Sequence, residues 1–304
     1  MSRQQREALD AQLRSAPRPE TPPTPEEQRA GFAAAVGRSA AAGVAVRRGV
    51  LGGRPALHLD PAGAADHGLL LYLHGGGYLV GSPDTHEGLI GELARRAGLR
   101  AVSPDYRLAP EHPFPAALDD GLAAYRELLE SGTDPRRLVL AGDSAGAGLV
   151  LATLLAARAA GLPLPAAAAL FSPWVDLTLA GASYRSRKEA DPLFTEADIR
   201  AYADHYLGAG DRTDPLASPL FADLAGLPPL LVQVGTNELL LDDSLRLAAR
   251  AAEQDVTVTL EVESGVPHVF QHQFGRLDEA DAALDRAARF LTAHLGTAHL
   301  DTAP

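Results

Sequence analysis

A chain of 304 residues that is 46% hydrophobic can bury one large core and fits a single α/β domain with an insertion. Its net charge of −12 argues against nucleic acid or an anionic membrane as partner. It has no cysteine, which excludes disulfides, thiolate catalysis and cysteine metal sites.

The first residues hold no apolar core of signal-peptide length, and no run of roughly 18 apolar residues occurs. A cytoplasmic protein with no membrane span is therefore expected. Residues 17–28 are proline-rich and read as a stiff connector between two helical pieces. Thr24, Pro25 and Glu27 would start the second piece with a capping box. From Val44 onward, apolar runs alternate with amphipathic ones. Strands are expected at 44–51, 55–59, 69–74, 100–104, 138–141, 166–171, 230–234 and 256–263. Helices are expected at 87–97, 116–130, 145–160, 241–253 and 277–295. The middle strands are continuously apolar, as strands buried on both faces should be. The alternation specifies an α/β fold with a mostly parallel central sheet flanked by helices, its first two strands an antiparallel edge. Between Trp174 and Leu230 no strand is evident. Thr195 starts a helix there, with Ile199, Tyr202 and Tyr206 on one face. This stretch reads as a helical insertion over the carboxyl ends of the strands, where such sheets bind ligands.

Three features carry chemistry. "GDSAG" at 142–146 fits Gly-x-Ser-x-Gly between a strand and a helix, the context of a nucleophile elbow. Gly142 and Gly146 relieve crowding at the turn, and the crowding exposes Ser144 as the candidate nucleophile. "HGGG" at 74–77 follows a buried strand. The N–H groups of Gly76 and Gly77, with that of Ala145, are candidates to hold an oxyanion. The spacing is wrong for a dinucleotide fingerprint, and His74 reads as a loop brace. In the chain order nucleophile, acid, base, the loop after the last strand offers His268 as base. His272, four residues on, falls at a helix start. For the acid, Glu238, Asp242 and Asp243 compete. Glu238 comes soonest after its strand, whereas the two aspartates favour a helix dipole. Tyr78, Tyr184, Leu193, Phe194, Tyr202 and Tyr206 are candidate pocket residues, each equally suited to the core of the insertion. No His-Glu-x-x-His pattern occurs, so metal-dependent hydrolysis is not expected.

With "DYRLAPEHPFPAALDD" at 105–120, "SPWVDL" at 172–177 and "PHVF" at 267–270, the chain resembles the bacterial hormone-sensitive-lipase-like carboxylesterases of the α/β-hydrolase superfamily. The resemblance implies ester hydrolysis without metal or cofactor, and a homodimer paired through the last strand. It also implies a helical cap, here residues 1–43 and 178–217, over a catalytic domain of 44–177 and 218–304. Glu238 stands where most members carry aspartate. Arg107 and Glu111 are expected to brace the active-site floor. The expected activity is that of a serine carboxylesterase for small to medium acyl esters, a small-molecule substrate class. The same residues would serve a lactone or amide hydrolase, and a non-catalytic receptor on this fold would lack the base.

Overall fold

The computed structural model describes residues 2–16, 23–36, 41–64 and 67–296. Residues 17–22 of the expected connector lie outside the described residues, as do 37–40 of the expected first cap piece and 297–304 of the expected catalytic domain. In chain order the elements are α1 (Ser2–Arg14), α2 (Pro25–Val36), β1 (Val44–Leu51), β2 (Arg54–Pro61), β3 (Leu69–Leu73), α3 (Pro83–Ala97) and β4 (Arg100–Pro104). Then come α4 (Ala116–Glu130), β5 (Leu138–Asp143), α5 (Ala145–Ala159), β6 (Ala167–Phe171), α6 (Ser183–Ser186) and α7 (Glu196–Leu207). Last are β7 (Leu230–Asn237), α8 (Leu241–Glu253), β8 (Val258–Pro267) and α9 (Asp278–His294).

The eight strands form one sheet in the order β1-β2-β4-β3-β5-β6-β7-β8. β1–β2 and β2–β4 are antiparallel, and every later pair is parallel. Alternate residues of the central strands feed two cores, because successive side chains point to opposite faces. Leu71, Leu73, Leu138 and Leu140 join α4, α5 and α8 on one face. Leu70, Tyr72, Val139 and Ala141 join α3 and α9 on the other.

Three boundaries differ from expectation by more than two residues, and two of them place functional residues. α3 starts a turn earlier than expected, at Pro83, because Ser82 and Thr85 form a reciprocal cap in which threonine replaces the usual Glu or Gln. β7 runs to Asn237, so Glu238 follows it directly. β8 starts at Val258 and runs through Gly265 to Pro267. Gly265 (φ +75°) donates its N–H to Thr236 Oγ1, which keeps a turn-like "SGVP" in the strand and sets His268 immediately after it.

α2 begins as its sequence specifies, with Thr24 N donating to Glu27 Oε2 at 2.8 Å and Glu27 N to Thr24 Oγ1 at 3.3 Å. α1 packs on β8 and α9, burying Leu9 beside Val266, Phe270 and Leu277. No helix among the described residues is long and apolar enough to cross a membrane.

Candidate active site

Ser144 follows β5 at φ 52° and ψ −122°, a left-handed backbone that costs a non-glycine residue on the order of 1–3 kcal/mol. The neighbouring glycines explain how it is reached. A Cβ on Gly146 would come within 2.1 Å of Leu73 O and 2.3 Å of His74 O, and one on Gly142 within 2.6 Å of Gly146 O. The crowding is therefore against β3 as well as across the elbow. Ser144 N donates to Phe171 O at 2.8 Å, which fixes the turn to the end of β6.

His268 Nε2 lies 2.9 Å from Ser144 Oγ, and its Nδ1 lies 2.7 Å from Glu238 Oε2. Glu238 is fully buried. Its Oε1 accepts from Ser172 Oγ at 2.9 Å and Gly235 N at 2.6 Å. Burial alone would lower the His268 pKa, but the charge and hydrogen bond of Glu238 outweigh it and raise the pKa above the ordinary 6.5. The competing acids serve elsewhere. Asp242 Oδ2 accepts from Ser183 N at 3.1 Å, and Asp243 Oδ2 accepts from Val175 N and Asp176 N at 3.0 Å each. His272 falls in a short 3-10 turn, Phe270–Gln273, rather than in a helix proper. Burial pushes it down to about 4, so it is neutral near pH 7.

Gly76 and Gly77 adopt φ of 118° and 61° and share a cavity of about 480 Å³ with Ser144 and His268. A Cβ on Gly77 would meet the Tyr202 ring at 2.8 Å. Among the described residues, the N–H groups of Gly76, Gly77 and Ala145 have no hydrogen-bond acceptor. Such groups are ordinarily paired when buried. Ala145 offers its backbone N–H alone, since its side chain is fully buried and outside the cavity lining. His74 braces the loop: it is fully buried, stacks on Tyr106 at 4.1 Å, and burial pushes it down to about 3.

Of the six candidate pocket residues, Leu193, Phe194 and Tyr202 line this cavity, with Ile199 beside them. Phe194 also meets the His268 ring edge-on at 5.4 Å. Three do not line it. Tyr78 and Tyr206 stack on each other at 3.7 Å in the main core, where their ring area is worth more buried than lining an opening. Tyr184 borders a separate, open depression with Arg14 and Lys188. α2 contributes Phe32, Ala35 and Val36 to the cavity, and α1 contributes Leu13. Arg107 and Glu111 do not line the cavity either. Arg107 pairs with Asp120 at 2.8 Å, and Glu111 takes Arg29 of α2 at 2.6 Å. Arg29 additionally donates to Leu79 O and Ala109 O at 2.9 Å, which moors α2 beside the glycine loop.

Sequence reading missed two residues that hold the site together. Ser172, at φ 45° just past β6, donates to Glu238 and accepts from Val269 N at 3.0 Å. The serine and proline of "SPWVDL" mark a turn there but not its partners. Asp191 accepts from Leu193 N and Phe194 N at 2.8 and 3.0 Å through one oxygen, and from Leu239 N at 2.9 Å through the other. It thereby links two cavity residues to the loop bearing Glu238.

Residues 70–272 match a family model described as alpha/beta hydrolase fold. An acetyl-hydrolase of Streptomyces hygroscopicus is 48% identical over 227 residues, 75% of this chain and 76% of that one. An ethyl acetate hydrolase of Pseudomonas putida is 36% identical over 245 residues, 78% of this chain and 76% of that one. Among solved structures, an esterase from the bacterial hormone-sensitive lipase family superposes with TM-score 0.92 at 42% identity, over 96% of this chain and 99% of that one. The chain therefore belongs to the α/β-hydrolase-fold family, among its bacterial hormone-sensitive-lipase-like carboxylic ester hydrolases.

Proposed function

We propose that the protein is a serine carboxylesterase that cleaves small to medium acyl esters through an acyl-enzyme. The observation that carries this reading is the chain of short contacts from Ser144 through His268 to buried Glu238, opening on a largely apolar cavity. Ser144 Oγ attacks the ester carbonyl while His268 Nε2 takes its proton, and Glu238 stabilises the imidazolium. The oxyanion is held by the N–H groups of Gly76, Gly77 and Ala145, which lack other acceptors. On collapse the C–O bond breaks, and the His268 proton leaves with the alcohol. Water then attacks the acyl-enzyme, giving a proton to His268, which returns it to Ser144 as the acid departs. Residues 1–43 and 178–217 act as a cap that shapes the acyl site. The acetyl-hydrolase and ethyl acetate hydrolase names of two relatives support short acyl groups.

Ser144→Ala is expected to lower turnover of a p-nitrophenyl ester by several orders of magnitude, at roughly 10³-fold or more, with an unchanged unfolding midpoint. Undiminished hydrolysis by that variant would sink the mechanism. Covalent labelling of Ser144 by an organophosphonate separates an enzyme from a receptor on the same fold.

A further inference from the structure

Asp143 precedes Ser144, and its two carboxylate oxygens have different surroundings. Oδ1 accepts from Tyr72 Oη at 2.8 Å and Gly75 N at 3.0 Å. Oδ2 instead faces two imidazoles, His86 Nε2 of α3 at 3.4 Å and His272 Nε2 at 3.9 Å. The three facing atoms lie within 4.8 Å of one another. The His86 side chain is 0% exposed, and its Nε2 has no hydrogen-bond partner among the described residues. At the other side of that ring, Nδ1 lies 2.9 Å from Thr85 Oγ1 and 3.1 Å from Ser82 O, which can only accept. With the Thr85 hydroxyl donating to Ser82 O at 2.9 Å, the ring proton sits on Nδ1. The Nε2 lone pair is then aimed at a carboxylate oxygen, an arrangement that a cation between them would satisfy.

We propose that His86, Asp143 and His272 form a binding site for a divalent first-row transition-metal ion, whose occupation slows the adjacent ester hydrolysis. Two imidazoles and one carboxylate are a donor set suited to zinc, cobalt or nickel. With bonds of about 2.0–2.1 Å in a tetrahedron, donor atoms stand about 3.3 Å apart. The 3.4 Å separation already fits, and the 3.9 Å one closes with a small shift of the partly exposed His272. The outer contacts are those that orient metal ligands: His86 Nδ1 on a backbone carbonyl, and Asp143 Oδ1 held by Tyr72 and Gly75. Asp143 and His272 also line the cavity at Ser144, which leaves a fourth position open to water. The ester mechanism uses neither His86 nor His272. A dication here would repel the imidazolium that His268 becomes in each half-reaction. That coupling rests on the proposed mechanism, whereas the binding does not.

Co²⁺ is a suitable probe, because its visible d–d bands report nitrogen and oxygen ligation directly. Titrating the full chain should give one equivalent bound, checked by metal analysis after gel filtration. His272→Gln should weaken binding by at least ~10-fold, and His86→Gln should do the same if it folds. Turnover, scaled to each protein's metal-free value, should fall as the band grows and recover with EDTA. Absence of a band, or wild-type affinity in His272→Gln, overturns the site. A band with unchanged turnover overturns the inhibitory coupling. Full activity in Ser144→Ala would defeat the proposed mechanism without touching the Co²⁺ readout.

Discussion

Replacing Glu238 with glutamine keeps the side chain's shape and removes its charge. The imidazolium at His268 would lose its stabilising partner, and the Nδ1 contact of 2.7 Å could be met by an amide in the wrong sense. Glu238→Gln is expected to lower kcat by about 10³–10⁴-fold. Asp242→Asn removes part of one acceptor for Ser183 N and should cost less than ~10-fold. Steady-state kinetics on the two variants decide the matter, and the reverse ranking would move the role to Asp242. The same pair of residues sets a pH dependence. Protonated His268 cannot accept the serine proton, and Glu238 holds its pKa above 6.5. The acid limb of kcat/KM should therefore fall off above pH 6.5, whereas an unpaired imidazole would place it at or below that value. The folding contribution has the opposite sense: the raised pKa stabilises the fold below 6.5, and this is lost as pH rises through the folded value. At this scale the contacts of Ser144, His268 and Glu238 could be anticipated from spacing, because each residue follows a strand. Ser172 and Asp191 could not, because each also binds groups far away in the chain, Glu238 and Val269 for Ser172 and Leu239 for Asp191.

Among elements, the β5–α5 corner is the most constrained. Gly146→Ala would set a Cβ against two backbone carbonyls of the β3 end, which cannot swing aside as a flexible side chain can. A loss of about 3 kcal/mol is expected, or roughly 6 °C in Tm at about 2 °C per kcal/mol. Gly161→Ala is a control: its φ is +69°, but no atom lies within 4 Å, so only backbone strain of about 1 kcal/mol applies. Thermal unfolding of both variants checks the contrast, and equal losses would remove close packing as the reason for Gly146. Strand positions were readable wherever apolar residues ran unbroken, as in β3, β5 and β6. The end of β8 was not, because glycine and proline usually signal a loop; there the pairing with β7 shifts register and resumes at Asn237 and Pro267, with Gly265 bonded to Thr236.

For the whole molecule, the cavity at Ser144 measures about 480 Å³, in the lower half of the range typical of small-molecule sites. Rates on p-nitrophenyl esters should peak among short and medium acyl chains and fall steeply by palmitoyl. A palmitoyl optimum would contradict this estimate of the acyl site. The fold class was legible because alternation of strand and helix dictates a parallel sheet. Which aromatic residues face the cavity was not legible. Tyr78 and Tyr206 come from separate parts of the sequence, and their stacking follows only once α7 crosses the glycine loop.

The end of β6 unites the site in a further sense. Phe171 O holds the Ser144 N–H, while the next residue, Ser172, holds both Glu238 and the Val269 N–H beside His268. One peptide link is thus the common datum from which the proposed nucleophile, acid and base are all measured. A displacement of that link carries the three together and cancels in their differences. Their mutual spacing is therefore insulated from breathing of the sheet, much as marks on one ruler keep their intervals when the ruler is moved.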